Sequence, residues 1–446
     1  MDIKRQKFMV FGVSKSGVAA VKLLLKAGAS CCFYEQLSSP KIEKSKEELV
    51  ALGAVDVGEK AEEALDRVDI LVLSPGVAIN HPLAVRAKKT GKRILGELEL
   101  GYLFLKTPLV AVTGTNGKTT TITMIGSVLD HAKVPHELVG NIGNPLSGKI
   151  DELNAGALAV TEVSSFQLET VHAFTPHIAC ILNLSPDHLE RHYSYENYIY
   201  LKKRILKNMR ESEYAVLNYD DETVRGFADD QRAKIVWFSL QERVYGAYKN
   251  GEEIFFNDQP VLRLDEMSLG GEHNVQNALA CVAVCKLLGV ENEAIRAALT
   301  DFKGVRHRIE FVKTVDGVNF YNDSKGTNTG STISAVLSMK RPTVLILGGK
   351  DKGEEYDELF RILKENAVTH AVLVGESRYK MMDAAARSGF ERITVTGDFE
   401  GAIRIAKMFC EPGGNVLFSP ACASFDMFEN YEERGEKFCK IVGELT

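Results

Sequence analysis

Leu109-Val110-Ala111-Val112-Thr113-Gly114-Thr115-Asn116-Gly117-Lys118-Thr119-Thr120-Thr121 is the stretch that decides the fold. An apolar run meets a glycine-bearing turn, and the turn meets Lys-Thr-Thr-Thr and a helical pattern from Ile122 to Leu129. Strand, loop and helix in this order bring backbone N–H groups and the positive end of a helix to one point, which suits phosphate oxygens. In the ending Gly117-Lys118-Thr119, the lysine reaches the outer phosphates and the threonine hydroxyl ligates Mg²⁺. The usual loop runs Gly, four residues, Gly-Lys. Val112 stands where the first Gly would be, so this loop is a shortened variant. ATP is the expected ligand, held by Gly114, Thr115, Asn116, Gly117, Lys118, Thr119 and Thr120. The competing reading is a βα turn that binds nothing.

Outward from the loop, the chain of 446 residues is too long for one core, and two or three domains are expected. With 45% hydrophobic and 26% charged residues it has the composition of a globular protein. The net charge of -6 comes without a basic run of the kind that marks a nucleic-acid surface. No stretch approaches the roughly 18 apolar residues that span a bilayer. Met1 to Lys7 leads into a strand pattern without a signal-peptide core, and a cytoplasmic location is expected. The eight cysteines form no CxxC pair, which argues against a zinc ribbon and against a disulfide framework.

Residues 1–95 alternate strand and helix patterns in a Rossmann-like rhythm: Phe8 to Val13, a turn through Gly12-Val13-Ser14-Lys15-Ser16-Gly17, a helix from Val18 to Lys26, and a second strand from Ser30 to Glu35. The dinucleotide fingerprint needs a middle Gly, and Ser14 holds that position. Glu35 ends the second strand, where an acidic residue meets a ribose. Residues 96–302 hold the quoted loop, a buried strand ending in Glu162, another running into Ser185-Pro186-Asp187-His188, and a basic helix from Tyr195 to Met209. Residues 303–446 begin a third unit, with strand patterns around Val344–Leu347, Ala371–Val374 and Asn415–Phe418. The predicted class is α/β in three domains: Rossmann-like, then a P-loop ATPase-type mostly parallel sheet, then Rossmann-like again.

By Asp187-His188 the motifs resemble the ATP-dependent Mur ligases. Gly114-Thr115-Asn116-Gly117-Lys118-Thr119, Glu162-Val163-Ser164-Ser165-Phe166-Gln167-Leu168 and Asn183-Leu184-Ser185-Pro186-Asp187-His188-Leu189 carry the likeness. Gly271-Glu272-His273-Asn274 with Asn277, Arg306-His307-Arg308 with Glu310, Asn322 to Asn328 and Gly348-Gly349-Lys350-Asp351-Lys352 extend it across all three units. Ser74-Pro75-Gly76-Val77 with His81-Pro82, and Ser419 to Asp426 with Asn430 to Gly435, are similar to the D-glutamate-adding branch. The Asp-Asn-Pro-Arg box of the diaminopimelate- or lysine-adding relative is absent.

The resemblance implies ATP-driven amide formation through an acyl phosphate, with UDP-N-acetylmuramoyl-L-alanine and D-glutamate as substrates and with Mg²⁺ at two sites, Mn²⁺ being an acceptable substitute. It implies Thr119 and Glu162 as ligands of one ion, and His188 and Lys202 at the second. The family carries at the position of Lys202 a lysine converted by CO₂ to a carbamate. Burial and neighbouring cations would favour the neutral amine that this needs; the competing reading is a surface lysine on a basic helix. Asn274 and Asn277 are implied on the adenine side. His307, Arg308 and Asp323 complete the nucleotide site, with Lys325 near the reacting phosphoryl, so the catalytic set is Lys118, Glu162, His188, Lys202 and Lys325. The UDP-substrate set is Ser14, Lys15, Ser16, Glu35, Gln36, Ser74, Pro75, Gly76 and Asn141. In it Gln36-Leu37 stands where Thr-Arg is usual and Lys15 where an apolar residue is common. Thr327, Lys352, Ser424, Phe425 and Tyr431 match the positions that receive D-glutamate. A monomer is expected.

Three other readings compete. Folylpolyglutamate synthase also joins glutamate to a carboxylate, but lacks a first domain of this type. A P-loop regulator would not need Glu162, His188, Lys202 and Asp323 together. A dehydrogenase is disfavoured by Ser14 and by the Gly117-Lys118-Thr119 loop.

Overall fold

The computed structural model describes residues 3–445. Its three sheets follow from the apolar runs. Ile70–Leu73, Leu109–Thr113, Ile178–Ile181 and Thr343–Leu347 are buried at every residue, as strands covered on both faces must be. The first sheet has five parallel strands in the order Val55–Asp56, Ser30–Tyr34, Lys7–Phe11, Ile70–Leu73, Arg93–Gly96.

The second sheet has nine strands. Seven run parallel, from His136–Gly140 through Leu158–Glu162, Leu109–Thr113, Ile178–Ile181, Tyr214–Asn218 and Lys234–Ser239 to Gly246–Asn250. Glu253–Phe256 and Gln259–Arg263 close the edge antiparallel. Leu109–Thr113 lies between Leu158–Glu162 and Ile178–Ile181, so its C-terminal loop opens where neighbouring connections depart to opposite sides, the usual place for a ligand in such sheets. The third sheet has five parallel strands and one antiparallel edge strand, Glu310–Val315. The α/β class with mostly parallel sheets is therefore as expected.

The chain divides into two compact units. The first holds the first and second sheets. The second holds the third sheet together with Ser185–Tyr193 and Leu269–His273, two segments that the sequence assigns to the central stretch. Ser185–Tyr193 is held there through Asp187, whose carboxylate meets Asn328 Nδ2 and Lys352 Nζ, each at 3.4 Å.

Within the first unit, two buried carboxylates on the Glu97–Phe104 helix join the sheets. Glu97 accepts from the Ser147 hydroxyl at 2.6 Å and its N–H at 2.8 Å, and burial pushes its pKa up. Glu99 accepts the N–H groups of His172, Ala173 and Phe174 at 3.0, 2.7 and 3.1 Å. Among the described residues, no helix is long and apolar enough to cross a membrane, and all eight cysteines are free.

The Lys15–Lys26 helix starts earlier than the apolar pattern indicates and packs directly on the turn before it. A Cβ on Gly17 would lie 1.7 Å from the Gly12 carbonyl oxygen. Gly17→Ala should therefore lower stability by about 2–4 kcal/mol, read as an earlier urea midpoint. An unchanged midpoint would show that the helix can withdraw from the turn without loss.

Candidate functional site

Two glycines shape the loop after Leu109–Thr113. Gly114 and Gly117 have φ of 151° and 87°, and a Cβ on Gly117 would stand 2.2 Å from Asn277 Oδ1. Asn183 fixes the loop between them. Its backbone oxygen accepts from Thr115 N–H at 2.8 Å, its Oδ1 accepts from Asn116 N–H at 2.8 Å, and its Nδ2 donates to the Asn116 carbonyl at 3.2 Å. The N–H groups of Thr115 and Asn116 are thus engaged by Asn183. The helix Lys118–His131 begins directly behind them and supplies its own first-turn N–H groups.

The Gly114 carbonyl accepts from two lysines, Lys118 Nζ at 2.8 Å and Lys202 Nζ at 2.7 Å. Lys118 also donates to the Thr115 carbonyl at 2.8 Å. Lys202 is 2% exposed, donates to Thr113 Oγ1 at 3.1 Å and lies 5.3 Å from the centroid of the Tyr198 ring. The surface-lysine reading of Lys202 is overturned by this burial: its helix turns Tyr198 and Lys202 inward together, four residues apart. The Tyr198 hydroxyl in turn lies 3.0 Å from Thr115 Oγ1.

Glu162 ends its strand beside the loop, as expected. Its Oε2 accepts from Thr119 Oγ1 and its Oε1 from Asn141 Nδ2, both at 2.8 Å. The carboxylate is 1% exposed and joins the phosphate loop to the turn that carries Asn141. Asn277 meets Thr121 Oγ1 at 3.3 Å, and so packs against the loop's helix. Asn274 lies on the same helix, Glu272–Leu287.

In the first sheet, Ser14, Lys15 and Ser16 stand at the start of the Lys15–Lys26 helix, with Ser14 as its N-cap, and Lys15 Nζ donates to the Gly143 carbonyl. Glu35 is spent on backbone: it accepts from Val13 N–H at 2.7 Å and Leu37 N–H at 2.9 Å. Ser74 is buried and donates to the Gly12 carbonyl at 2.7 Å, next to Pro75 and Gly76. Gln36 Nε2 meets His81 Nε2 at 3.0 Å.

The second unit gathers the remaining residues. Asp323 is buried, accepts from the Ser419 hydroxyl at 2.6 Å and Ile309 N–H at 3.2 Å, and burial pushes its pKa up to about 6. His307 faces inward. Its Nδ1 is 2.8 Å from Asn322 Nδ2, and burial pushes its pKa down. His307, Glu310 and Cys439 converge closely, but the Asn322 amide stands among them, 3.2 Å from Cys439 Sγ. Arg308 is half-buried two residues before Glu310. Lys325 Nζ meets the Tyr431 hydroxyl at 3.2 Å and lies 4.9 Å from its ring centroid.

Lys352 lies 3.4 Å from both Asp187 and Glu354. His188 follows with a left-handed backbone, φ 54°, its Nε2 3.6 Å from Asp187 Oδ2. Ser424 is buried, Phe425 is 71% exposed, and the Lys350–Ala423 bridge lays the Lys352 loop beside theirs. Thr327 sits just before the Thr329–Ser338 helix.

Comparison with known proteins places this arrangement. A Mur ligase middle domain matches residues 112–285, a Mur ligase glutamate ligase domain 307–422, and a Mur ligase MurD-like N-terminal domain 6–96. A protein of Caldanaerobacter subterraneus subsp. tengcongensis named UDP-N-acetylmuramoylalanine--D-glutamate ligase is 42% identical over 100% of both chains. One of Clostridioides difficile with the same name is 39% identical over 100% of both. The chain belongs to the Mur ligase family.

Two solved Mur ligases share the fold at low identity. A MurF ligase of Thermotoga maritima in complex with ADP is 17% identical with a TM-score of 0.61, covering 99% of this chain and 98% of that one. A UDP-N-acetylmuramate-alanine ligase of the same organism is 19% identical with a TM-score of 0.59, covering 98% and 99%.

Within this Mur ligase the structure brings together Thr119, Glu162 and Asn141, and Lys118 with Lys202. His188, Lys325, Asp323 and Lys352 belong to the other unit. Sequence reasoning missed Asn183, Tyr198 and Arg434 as the residues that hold the loops. The first two were in view, in Asn183-Leu184-Ser185-Pro186 and one turn before Lys202. Arg434 is fully buried and donates to the carbonyls of Ser324, Cys422 and Ala423 at 2.8, 3.1 and 3.0 Å. Its signal is its place in the Asn430 to Gly435 stretch, which is read for its likeness to the D-glutamate-adding branch and not for its fold.

The raised Asp323 pKa sets a pH dependence. The folded state holds the proton to about pH 6 while the unfolded chain releases it near the ordinary aspartate value of 3.8, so this residue's contribution to stability is largest in acid and is lost as pH rises. Relative to Asp323→Asn, the wild type should lose about 1 kcal/mol between about pH 5 and pH 7 in urea unfolding. A difference that stays flat, or grows with pH, would overturn the assignment.

Proposed function

We propose that this Mur ligase joins D-glutamate to UDP-N-acetylmuramoyl-L-alanine at the expense of ATP, as a monomer in the cytoplasm, in peptidoglycan precursor synthesis. The domains proposed are 1–95 for the UDP-substrate, 96–302 for ATP and 303–446 for the amino acid. The names of the full-length relatives support the substrates. One observation carries the chemistry: the Glu162 carboxylate is shared by a hydroxyl of the phosphate loop, Thr119, and by the amide of Asn141, on the turn assigned to the substrate.

In the proposed reaction the substrate carboxylate attacks the γ-phosphorus. The bond to the bridging oxygen breaks, and ADP leaves with the electron pair. The amine of D-glutamate then adds to the carbonyl carbon of the acyl phosphate and loses a proton. The C–O bond breaks and inorganic phosphate departs. Carboxylate is a poor acyl donor, so phosphorylation supplies the leaving group, and the protein's part is positioning and charge stabilisation. Lys118 and the first-turn N–H groups behind Gly117 would receive the phosphates. Lys325, steadied by Tyr431, would stand by the transferred phosphoryl. Asn274, Asn277, Arg308 and Asp323 would hold the nucleoside, while the inward-facing His307 braces Asn322.

The hard oxygen donors of Thr119 and Glu162 suit Mg²⁺, and Lys202 as a carbamate would join His188 at a second ion; bound there, the ions would offset phosphate charge. The burial of Lys202 supports the carbamate, because burial favours the neutral amine that reacts with CO₂. Lys352, Thr327, Ser424, Phe425 and Tyr431 would receive D-glutamate, a cation and hydroxyls matching its two carboxylates.

ADP release measured with UDP-N-acetylmuramoyl-L-alanine should require D-glutamate and fail with L-glutamate, L-lysine or diaminopimelate. Turnover only with one of the latter would overturn the specificity. Lys202→Ala should lose about 10²-fold or more of turnover and regain part of it with short carboxylic acids. Full activity without additive would remove the carbamate from the mechanism.

A further inference from the structure

The Tyr195–Lys203 helix turns Tyr198 and Lys202 to the phosphate loop. Against its opposite face lies a cavity of about 600 Å³, continued by the segment after the helix and by the 230–232 stretch. Lys203, Arg204, Lys207, Arg210 and Arg232 line it, against a single carboxylate, Asp230. That balance runs against a chain with 54 basic and 60 acidic residues.

Two of the five cations are committed. Arg204 donates to the carbonyls of Glu169 and Val171 at 2.8 and 2.6 Å, which fixes the wall. Lys203 pairs with Asp230 at 3.3 Å. Both stand where a helix ends and cations are favoured by its dipole. Lys207, Arg210 and Arg232 lie beyond that end. All three are exposed, and among the described residues none of them forms an ion pair with a carboxylate. Tyr200, 62% exposed, presents an aromatic ring on the same wall.

Cations gathered in a concavity focus a positive potential, and guanidinium forks match phosphate oxygens. The volume falls within the roughly 300–1,000 Å³ of small-molecule sites. We propose that this cavity binds a phosphate-bearing small molecule of nucleotide size, at a site separate from the phosphate loop.

The test reads the site directly. Reductive methylation of lysines in the whole protein is followed by peptide mass spectrometry, with and without inorganic pyrophosphate or UDP. Lys203 and Lys207 should be protected at least about threefold by either anion, while Lys88, on the Pro82–Lys89 helix, reacts unchanged. Arg210→Glu with Arg232→Glu should abolish the protection while leaving ligase turnover in phosphate-free buffer as it was. Greater protection by UDP, lost in Tyr200→Ala, assigns the ligand as a nucleotide; equal protection that survives Tyr200→Ala assigns it as a simple phosphate. Equal reactivity of Lys203 and Lys207 with and without both anions, or protection that survives the double charge reversal, overturns the site. The readout does not depend on which amino acid the enzyme joins.

Discussion

The Gly114 carbonyl oxygen is the atom on which the rest of the first unit turns. Two ammonium groups, from Lys118 and Lys202, converge on it at 2.8 and 2.7 Å. Like charges meet in this way only where packing holds both stems. Lys118 is held by the first turn of its helix. Lys202 is held by a helix whose Tyr198 hydroxyl reaches Thr115. The carbonyl is in place because Gly114 takes a φ of 151°, closed to other residues, and because Asn183 clamps the next two N–H groups from the neighbouring strand's end. The apolar strand, the glycine, the asparagine and the basic helix are four sequence features with one geometric outcome, a loop held in a fixed conformation at the mouth of a parallel sheet.

The same unit uses buried carboxylates to set the first sheet against the second. Glu97 and Glu99 lie on one short helix and accept from Ser147 and from three successive backbone N–H groups. Leaving either without those donors would cost the desolvation of a charge in the interior. The junction is therefore specific in register, and it fixes where the turn of Ser14 to Ser16 lies relative to Gly143, which Lys15 touches. The position of the proposed UDP-substrate pocket relative to the phosphate loop follows from these two glutamates, neither of which takes part in the proposed chemistry.

The strands were legible because apolar runs of four or five residues bounded by glycine permit little else, and the loop because Gly-Lys-Thr between strand and helix is a local pattern. Glu162 was legible from its place at a strand end. What the sequence did not disclose is which way a polar group is spent. Glu35 occupies the position of a ribose ligand, yet both its oxygens accept backbone N–H groups. His307 sits in a motif read as nucleotide-facing, yet its ring turns into the domain toward Asn322. Lys202 reads as surface on a helix with Lys203 and Arg204, yet it alone of the three is buried. For His307 and Lys202 the partner lies on another element, 15 residues away for Asn322 and 88 for Gly114, beyond any local pattern.

A common rule connects these cases. Cations here rest on carbonyl oxygens: the buried Lys202 and half-buried Lys118 on Gly114, the half-buried Arg204 on Glu169 and Val171, the buried Arg434 on Ser324, Cys422 and Ala423. The buried Glu99 and the half-buried Glu35 rest on backbone N–H groups, whereas the buried Asp187 pairs with Lys352. A charge solvated by peptide dipoles is satisfied without being neutralised, whereas an ion pair cancels most of the field of both members. Burial pulls the Arg434 pKa down only to about 10, so its charge persists at neutral pH beside the loop of Ser424 and Phe425. Held by carbonyls in this way, Arg434 keeps a positive field beside that loop while its own polar groups are satisfied.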